Sequence, residues 1–289
     1  MQYQTTLAEE VTYTGIGLHS GLNVTIVLQP AAADTGIVFV RADLAGRPSV
    51  TAFAANVTNT MRATTLENGA AKVFTIEHLM AAFSGMGVDN CLVTMTAPEP
   101  PVADGSALTF VRLIQQAGII ELTAKRQILK VAAEQTVRVA DKFITILPYD
   151  GLRITFTSIN AHPLLGVQFG DYEITPELFC REIAPARTIG FMNEVAALQA
   201  QGLARGGSLE NVVVYDEKDV LTPLRFSDEL VRHKILDVVG DMALAGCVQG
   251  HIIAVKSGHA LNTVLAKQVL AAHKRESGGI LWMSNKEAE

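Results

Sequence analysis

The feature that most restricts what this chain can fold into is a succession of elements that occurs twice. In the first half the β-branched run Val24–Leu28 reads as a strand, residues 30–36 as a loop and Ile37–Val40 as a second strand. Phe143–Leu147, a turn over 148–151 and Leu152–Phe156 repeat that order in the second half. Helices follow in both. Thr75 suits the N-cap of a helix that begins at Ile76–Phe83 and stops near Gly85 and Gly87, and Cys91–Met95 is the strand after it. Asp104-Gly-Ser106 then leads into a helix over Ala107–Gln116. In the later copy a helix carrying His233 stops near Gly246, Ile252–Val255 is the strand, and Ser257-Gly-His259 leads into a helix over Leu261–His273. Order and element type match, which predicts an internal duplication. The expected fold is α/β of the α+β kind: two two-layer α/β sandwiches with their helical layers face to face and a site between them. The first domain takes residues 1–124 and the second 125–289, joined near Ala124–Gln127.

The copies differ in length. Thr25 and Thr145 lie 120 residues apart, whereas His78 and His233 lie 155 apart, so the second copy holds about 35 extra residues within 160–212. Phe191, Met192, Val195 and Leu198 predict a short apolar helix there, and Gly202–Gly207 a mobile turn. Such an insertion serves either as a lid or wall for an apolar ligand or as a solvent-exposed loop.

At 289 residues, with 49% hydrophobic and 18% charged, the chain can bury two cores and is not disordered. A net charge of -6 without a basic run argues against a general nucleic-acid binder and leaves any anionic substrate to local charges. Cys91, Cys180 and Cys247 form no C-x-x-C pair and read as buried thiols of a reducing compartment. The N-terminus lacks the pattern of a secretory signal, and no charge-free stretch of about 18 apolar residues could span a membrane. The expectation is a soluble, cytoplasmic monomer.

The segment from Arg232 to Asp241 carries the chemistry. Ile235, Val238, Val239 and Met242 form one helical stripe, and His233, Asp237 and Asp241 fall on the other side, where they are either a solvated face or a site. His233 and Asp237 are one turn apart and can reach one cation, flanked by Lys234. In the first copy Leu79, Met80, Ala82, Phe83 and Met86 cluster on one side of the helix, away from Glu77 and His78. If the helical layers meet, His78 faces His233 and Asp237. Two imidazoles and a carboxylate suit Zn2+ and leave a fourth position for water. Glu77 can take a proton from that water, although a carboxylate at a helix start is also favourable without any catalytic role. His259 follows a glycine turn, and Asp241 can hydrogen-bond it and favour the imidazolium. Thr188, within Ala186–Gly190, is a hydroxyl donor for an oxyanion, or an ordinary turn threonine. The composite describes metal-assisted amide or ester hydrolysis.

Six stretches together resemble a known family: Gly17-Leu-His-Ser-Gly21, Thr75-Ile-Glu-His-Leu79, Asp104-Gly-Ser106, Ala186-Arg-Thr-Ile-Gly-Phe-Met192, Arg232-His-Lys-Ile-Leu-Asp237 and Lys256-Ser-Gly-His-Ala-Leu-Asn262. In order and spacing, from about residue 5 to about 274, they are similar to the UDP-3-O-acyl-N-acetylglucosamine deacetylases. The resemblance implies hydrolysis of the N-acetyl group of UDP-3-O-(3-hydroxyacyl)-N-acetylglucosamine, the committed step of lipid A synthesis in Gram-negative-type bacteria. It implies His78, His233 and Asp237 as Zn2+ ligands, Glu77 as general base, and His259 as general acid oriented by Asp241. Thr188 would hold the oxyanion and Lys234 would contact substrate. The insertion around 187–212 would form an acyl passage with Val195, Ala204, Gly207 and Ser208, and Leu18 near its mouth; His19, Ile189 and Lys256 would also contact substrate. Ile189 stands where the family can carry an aromatic residue, and Ala63 where it can carry a cysteine. The tail from about Arg275, with Trp282, matches no motif and is assigned no role. The alternatives are a non-catalytic binder of acylated sugar nucleotides and a zinc amidase for a different N-acetylated nucleotide sugar.

Overall fold

The computed structural model describes residues 2–276; the tail beyond them, with Trp282, lies outside the described residues. The first sheet holds β1 (Val11–Ile16), β2 (Asn23–Pro30), β3 (Ile37–Arg41), β4 (Ser49–Thr51) and β5 (Cys91–Met95), in the order β1-β2-β5-β3-β4. Its successive pairings are antiparallel, antiparallel, parallel and antiparallel. The second sheet holds β6 (Gln135–Val139), β7 (Lys142–Leu147), β8 (Leu152–Ile159), β9 (Val167–Glu173) and β10 (Cys247–Val255), ordered β6-β7-β10-β8-β9 with the same succession of directions. A side-chain detail recurs with the topology. Thr14 faces Thr25 across β1–β2 and Thr136 faces Thr145 across β6–β7, with hydroxyl oxygens 2.8 and 2.6 Å apart.

Alternation along the strands decides which face is covered. Val24, Ile26 and Leu28 of β2, Cys91, Val93 and Met95 of β5, and Val248, Ile252 and Ala254 of β10 are all buried. Among the described residues there are five long helices, α1 (Glu77–Met86), α2 (Leu108–Ala117), α3 (Met192–Ala200), α4 (Glu229–Met242) and α5 (His259–Glu276), and all but α3 supply the cover. α2 packs on β1, α4 on β8 and β9, and α5 on β6 and β7, while α1 and α4 pack directly on each other. One apolar core therefore runs through both halves, from Val24 and Phe39 to Ile252 and Leu265.

That contact settles the polar side of α4. Its apolar stripe is buried as expected, but His233, Asp237 and Asp241 are buried too, at 6%, 1% and 0% exposure, because α1 covers them. Other expectations need correction. Thr75 is not the N-cap of α1: Ile76 holds that position, and Thr75 adopts a left-handed φ of 57° that turns its hydroxyl to Glu99 instead. α5 starts at His259 and not after it, so this histidine sits in the first helical turn. Of the three free cysteines only Cys91 is buried; Cys180 and Cys247 are half-buried.

In the insertion, Ile189–Phe191 and Val213–Tyr215 form a parallel pair with α3 as the crossover. α3 buries none of its residues, so it is a thin wall rather than a core helix. The loop after it docks on the Gly17–Gly21 turn: Gly206 N–H donates to the Leu18 carbonyl at 2.9 Å, and Ala204 N–H donates to His19 Nδ1 at 3.3 Å. A β-carbon on Gly206 would lie 2.2 Å from the Gly17 carbonyl oxygen, so only glycine permits this approach. Among the described residues no helix is long and apolar enough to cross a membrane.

Candidate active site

The pairing of α1 with α4 brings together side chains 155 residues apart. His78, in the first turn of α1, meets His233 and Asp237, which α4 presents one turn apart, and one donor atom from each lies within 4.8 Å of the others. His78 Nε2 is 3.8 Å from Asp237 Oδ1, and His233 Nε2 is 3.5 Å from Asp237 Oδ2. Two donors bonded at 2.0–2.2 Å to one tetrahedral cation are separated by about 3.4 Å, close to these two separations. The hydrogen-bond accounting points the same way. Among the described residues three buried side-chain polar atoms have no hydrogen-bond partner, and two of them are Asp237 Oδ1 and His233 Nδ1. An orphaned buried carboxylate oxygen between two imidazoles fits a metal site and is costly otherwise.

Electrostatics prepare these groups as donors. Burial lowers the pKa of both His78 and His233, well below the usual histidine value for the latter, against the opposing pull of Asp237. Both imidazoles are therefore neutral near pH 7. Burial alone would raise Asp237, but His233 and Lys234 outweigh it and hold the carboxylate well below its ordinary range. Lys234 Nζ donates to Asp237 Oδ2 at 2.8 Å.

Glu77 is 4% exposed, and its Oε2 accepts the Thr64 N–H at 3.1 Å. Burial, reinforced by Asp241 and Asp237 and opposed by His259, raises its pKa to about 7. His259 Nε2 lies 3.8 Å from Glu77 Oε1, while its Nδ1 is 2.8 Å from Asp241 Oδ2. Burial would lower this imidazole, yet Asp241, Glu77 and Asp237 prevail and raise its pKa to about 10. A basic carboxylate and a protonated imidazole thus stand side by side. Asp241 is itself fixed: Thr64 Oγ1 donates to its Oδ1 at 2.6 Å and Asn262 Nδ2 to its Oδ2 at 2.9 Å.

Glu77, His78, His233, Lys234, Asp237 and His259 line a cavity of about 310 Å3 whose other walls include Leu18, His19, Thr188, Ile189, Leu198 and Ala204, while Asp241, Thr64 and Asn262 lie behind it. Thr188 is held by backbone bonds to Gly105 and Val213. Beside it, the buried Arg187–Glu229 pair anchors the segment. α3 turns Glu194 and Leu198 to the cavity, and Glu194 reaches across to Arg62 at 3.1 Å. Val195, half-buried, Gly207 and the exposed Ser208 are not among the lining residues. Neither is Lys256, which instead pairs with Asp141 in the turn between β6 and β7.

Sequence reasoning missed Thr64, Glu99, Glu229 and Asn262. Buried Glu99 accepts from His19 N–H, Ser20 N–H and the Thr75 hydroxyl, so it ties the Gly17–Gly21 turn to the start of α1. Asn262 alone was within reach: it ends the Lys256–Asn262 stretch, and i+3 from His259 puts it on the same helical face. The other three act across long sequence separations that leave no local signal.

A buried carboxylate beside an imidazole, at a His–His–Asp cluster able to hold a cation in a cleft, fits an enzyme of the hydrolase class. The sequence model of the family described as UDP-3-O-acyl N-acetylglycosamine deacetylase matches residues 4–271. The chain is 47% identical over 271 residues to a UDP-3-O-acyl-N-acetylglucosamine deacetylase of Anaeromyxobacter dehalogenans, covering 93% of this chain and 87% of that protein. It is 48% identical to the one from Geobacter sp. (93% and 90% covered) and 45% identical to the one from Pseudomonas entomophila (93% and 90%). The chain belongs to the UDP-3-O-acyl N-acetylglycosamine deacetylase family, and it is a deacetylase.

Proposed function

We propose that this chain hydrolyses the N-acetyl group of UDP-3-O-(3-hydroxyacyl)-N-acetylglucosamine to the free amine and acetate, with Zn2+ as cofactor, as the committed step of lipid A synthesis. The observation that carries the reading is the buried Asp237, whose Oδ1 has no hydrogen-bond partner, between His78 and His233, with Glu77 beside His78 in the chain. His78, His233 and Asp237 would hold the ion, which supplies Lewis acidity toward the acetamide carbonyl and lowers the pKa of water. The rest of the chemistry belongs to the chain. Glu77 takes a proton from the attacking water as the new C–O bond forms. Thr188 donates its hydroxyl to the developing oxyanion. His259 gives its Nε2 proton to the departing amine as the C–N bond breaks, and Asp241 steadies the imidazolium through Nδ1. Proton uptake by Glu77 and release by His259 balance, and their 3.8 Å separation allows the pair to reset. The cavity wall of Leu18, Ile189, Leu198 and Ala204 suits an apolar acyl chain. The same strand order in both sheets supports two domains divided near residue 124.

Acetate release by purified protein should disappear on chelation and return with one equivalent of Zn2+. Folded, zinc-replete protein that releases no acetate from this substrate would remove the reading. The pH profile should be bell-shaped, because turnover needs Glu77 ionised and His259 protonated. Activity falls as the pH drops below the Glu77 pKa and falls again as it rises toward the His259 value of about 10. His259→Gln should slow turnover and remove the alkaline limb; an unchanged limb would take His259 out of the acid role.

A further inference from the structure

Gly240 sits inside α4, three residues beyond Asp237 and next to Asp241. A β-carbon there would lie 2.0 Å from the carbonyl oxygen of Glu77, 2.9 Å from its carbonyl carbon and 3.1 Å from its Cα. The obstacle is the backbone of the first residue of α1, so no side-chain rotation can relieve it. Glycine is less favourable than alanine within a helix, a penalty this crossing requires α4 to carry.

We propose that Gly240 is a positioning residue that sets the separation of α1 and α4, and through it the fit of His78 to His233 and Asp237 around a divalent cation. The inference rests on reading that cluster as a metal site. Real β-carbons essentially never approach another atom within 3.0 Å, so a methyl group at residue 240 requires the start of α1 to retreat by at least about 1 Å. Ligand bonds in metal sites hold to within about 0.2 Å. His78 follows Glu77 directly and moves with it, while His233 and Asp237 stay on α4. One ligand of three is thus carried well outside the tolerance of the other two. The asymmetry matters: the substitution spares every side chain of the cluster and alters only the distance between the two helices that bear them.

Gly240→Ala is compared with wild type as metal-free protein. The expected result is a Zn2+ affinity about 10–100-fold weaker in competition with a chelator, and a changed visible spectrum of the Co2+ form, in protein that still unfolds cooperatively. His78→Ala sets the scale for outright loss of a ligand. Folded Gly240→Ala protein with wild-type Zn2+ affinity and an unchanged Co2+ spectrum overturns the assignment. Should the variant fail to fold, crystal structures of wild type with and without Zn2+ decide. The contact between Gly240 and Glu77 should be the same in both to within about 0.2 Å. Helices that close only when Zn2+ is added overturn it. Wild-type protein that binds no Zn2+ removes the metal reading itself, whereas equal binding by wild type and variant removes only the role of Gly240.

Discussion

Glu77→Gln is expected to lower acetate release by about 10²–10⁴-fold while the protein retains its fold and its capacity for Zn2+. Glutamine keeps the shape of the side chain and can still accept the Thr64 N–H, but it cannot take a proton from water. The environment explains why the carboxylate is suited to the task. Burial raises its pKa to about 7, so it is basic enough to deprotonate water yet largely ionised just above neutrality. Metal content and single-turnover acetate release, measured on the same preparation, separate the two roles open to a residue beside a ligand. A variant that holds Zn2+ and turns over at the wild-type rate would show that another group is the base. A variant that loses Zn2+ would show that Glu77 serves mainly to shape the metal site.

Glu229→Ala should be the most destabilising single substitution near the site, costing about 3–5 kcal/mol, because it leaves the buried Arg187 guanidinium without its counter-charge. The pair is enclosed, with side-chain exposures of 7% for Arg187 and 0% for Glu229. Glu229 also accepts the backbone N–H groups of Arg187 and Arg225, at 3.1 and 2.7 Å, so two loops lose an anchor together. Urea unfolding should show a lower midpoint at an unchanged slope. Because Thr188 follows Arg187, turnover should also fall before the protein unfolds. A midpoint shift equivalent to less than about 1 kcal/mol would mean that the pair is as dispensable as an exposed one.

The elements with strong periodicity were legible in the sequence. Cys91–Met95 is a strand with the predicted bounds, and the stripe of Ile235, Val238, Val239 and Met242 faces the core. The one-turn spacing of His233 and Asp237 is a property of a single helix, so it too could be read directly. What lay beyond reach depends on contacts between distant segments. The hydrogen bond from Thr64 to Asp241 spans 177 residues, and no local pattern marks either end. Thr75 misled because capping propensity is a weak preference that the buried Glu99 overrides by claiming its hydroxyl. Lys256, inside a recognisable stretch, has its ammonium drawn to Asp141, a partner only the folded sheet supplies.

Dividing the three candidate ligands between α1 and α4 has a consequence for the order in which the protein is made. A ribosome that has released the chain as far as Val231 has supplied one imidazole of the cluster and none of its carboxylate. A lone exposed imidazole binds cations weakly and with little selectivity, so the growing chain has no high-affinity trap for whichever ion is most abundant. The second imidazole and the carboxylate arrive within five residues, on a helix that must first dock against α1. If the cluster holds a metal as proposed, its choice is deferred until the two halves have folded onto each other, and the finished cleft, rather than the nascent chain, does the selecting.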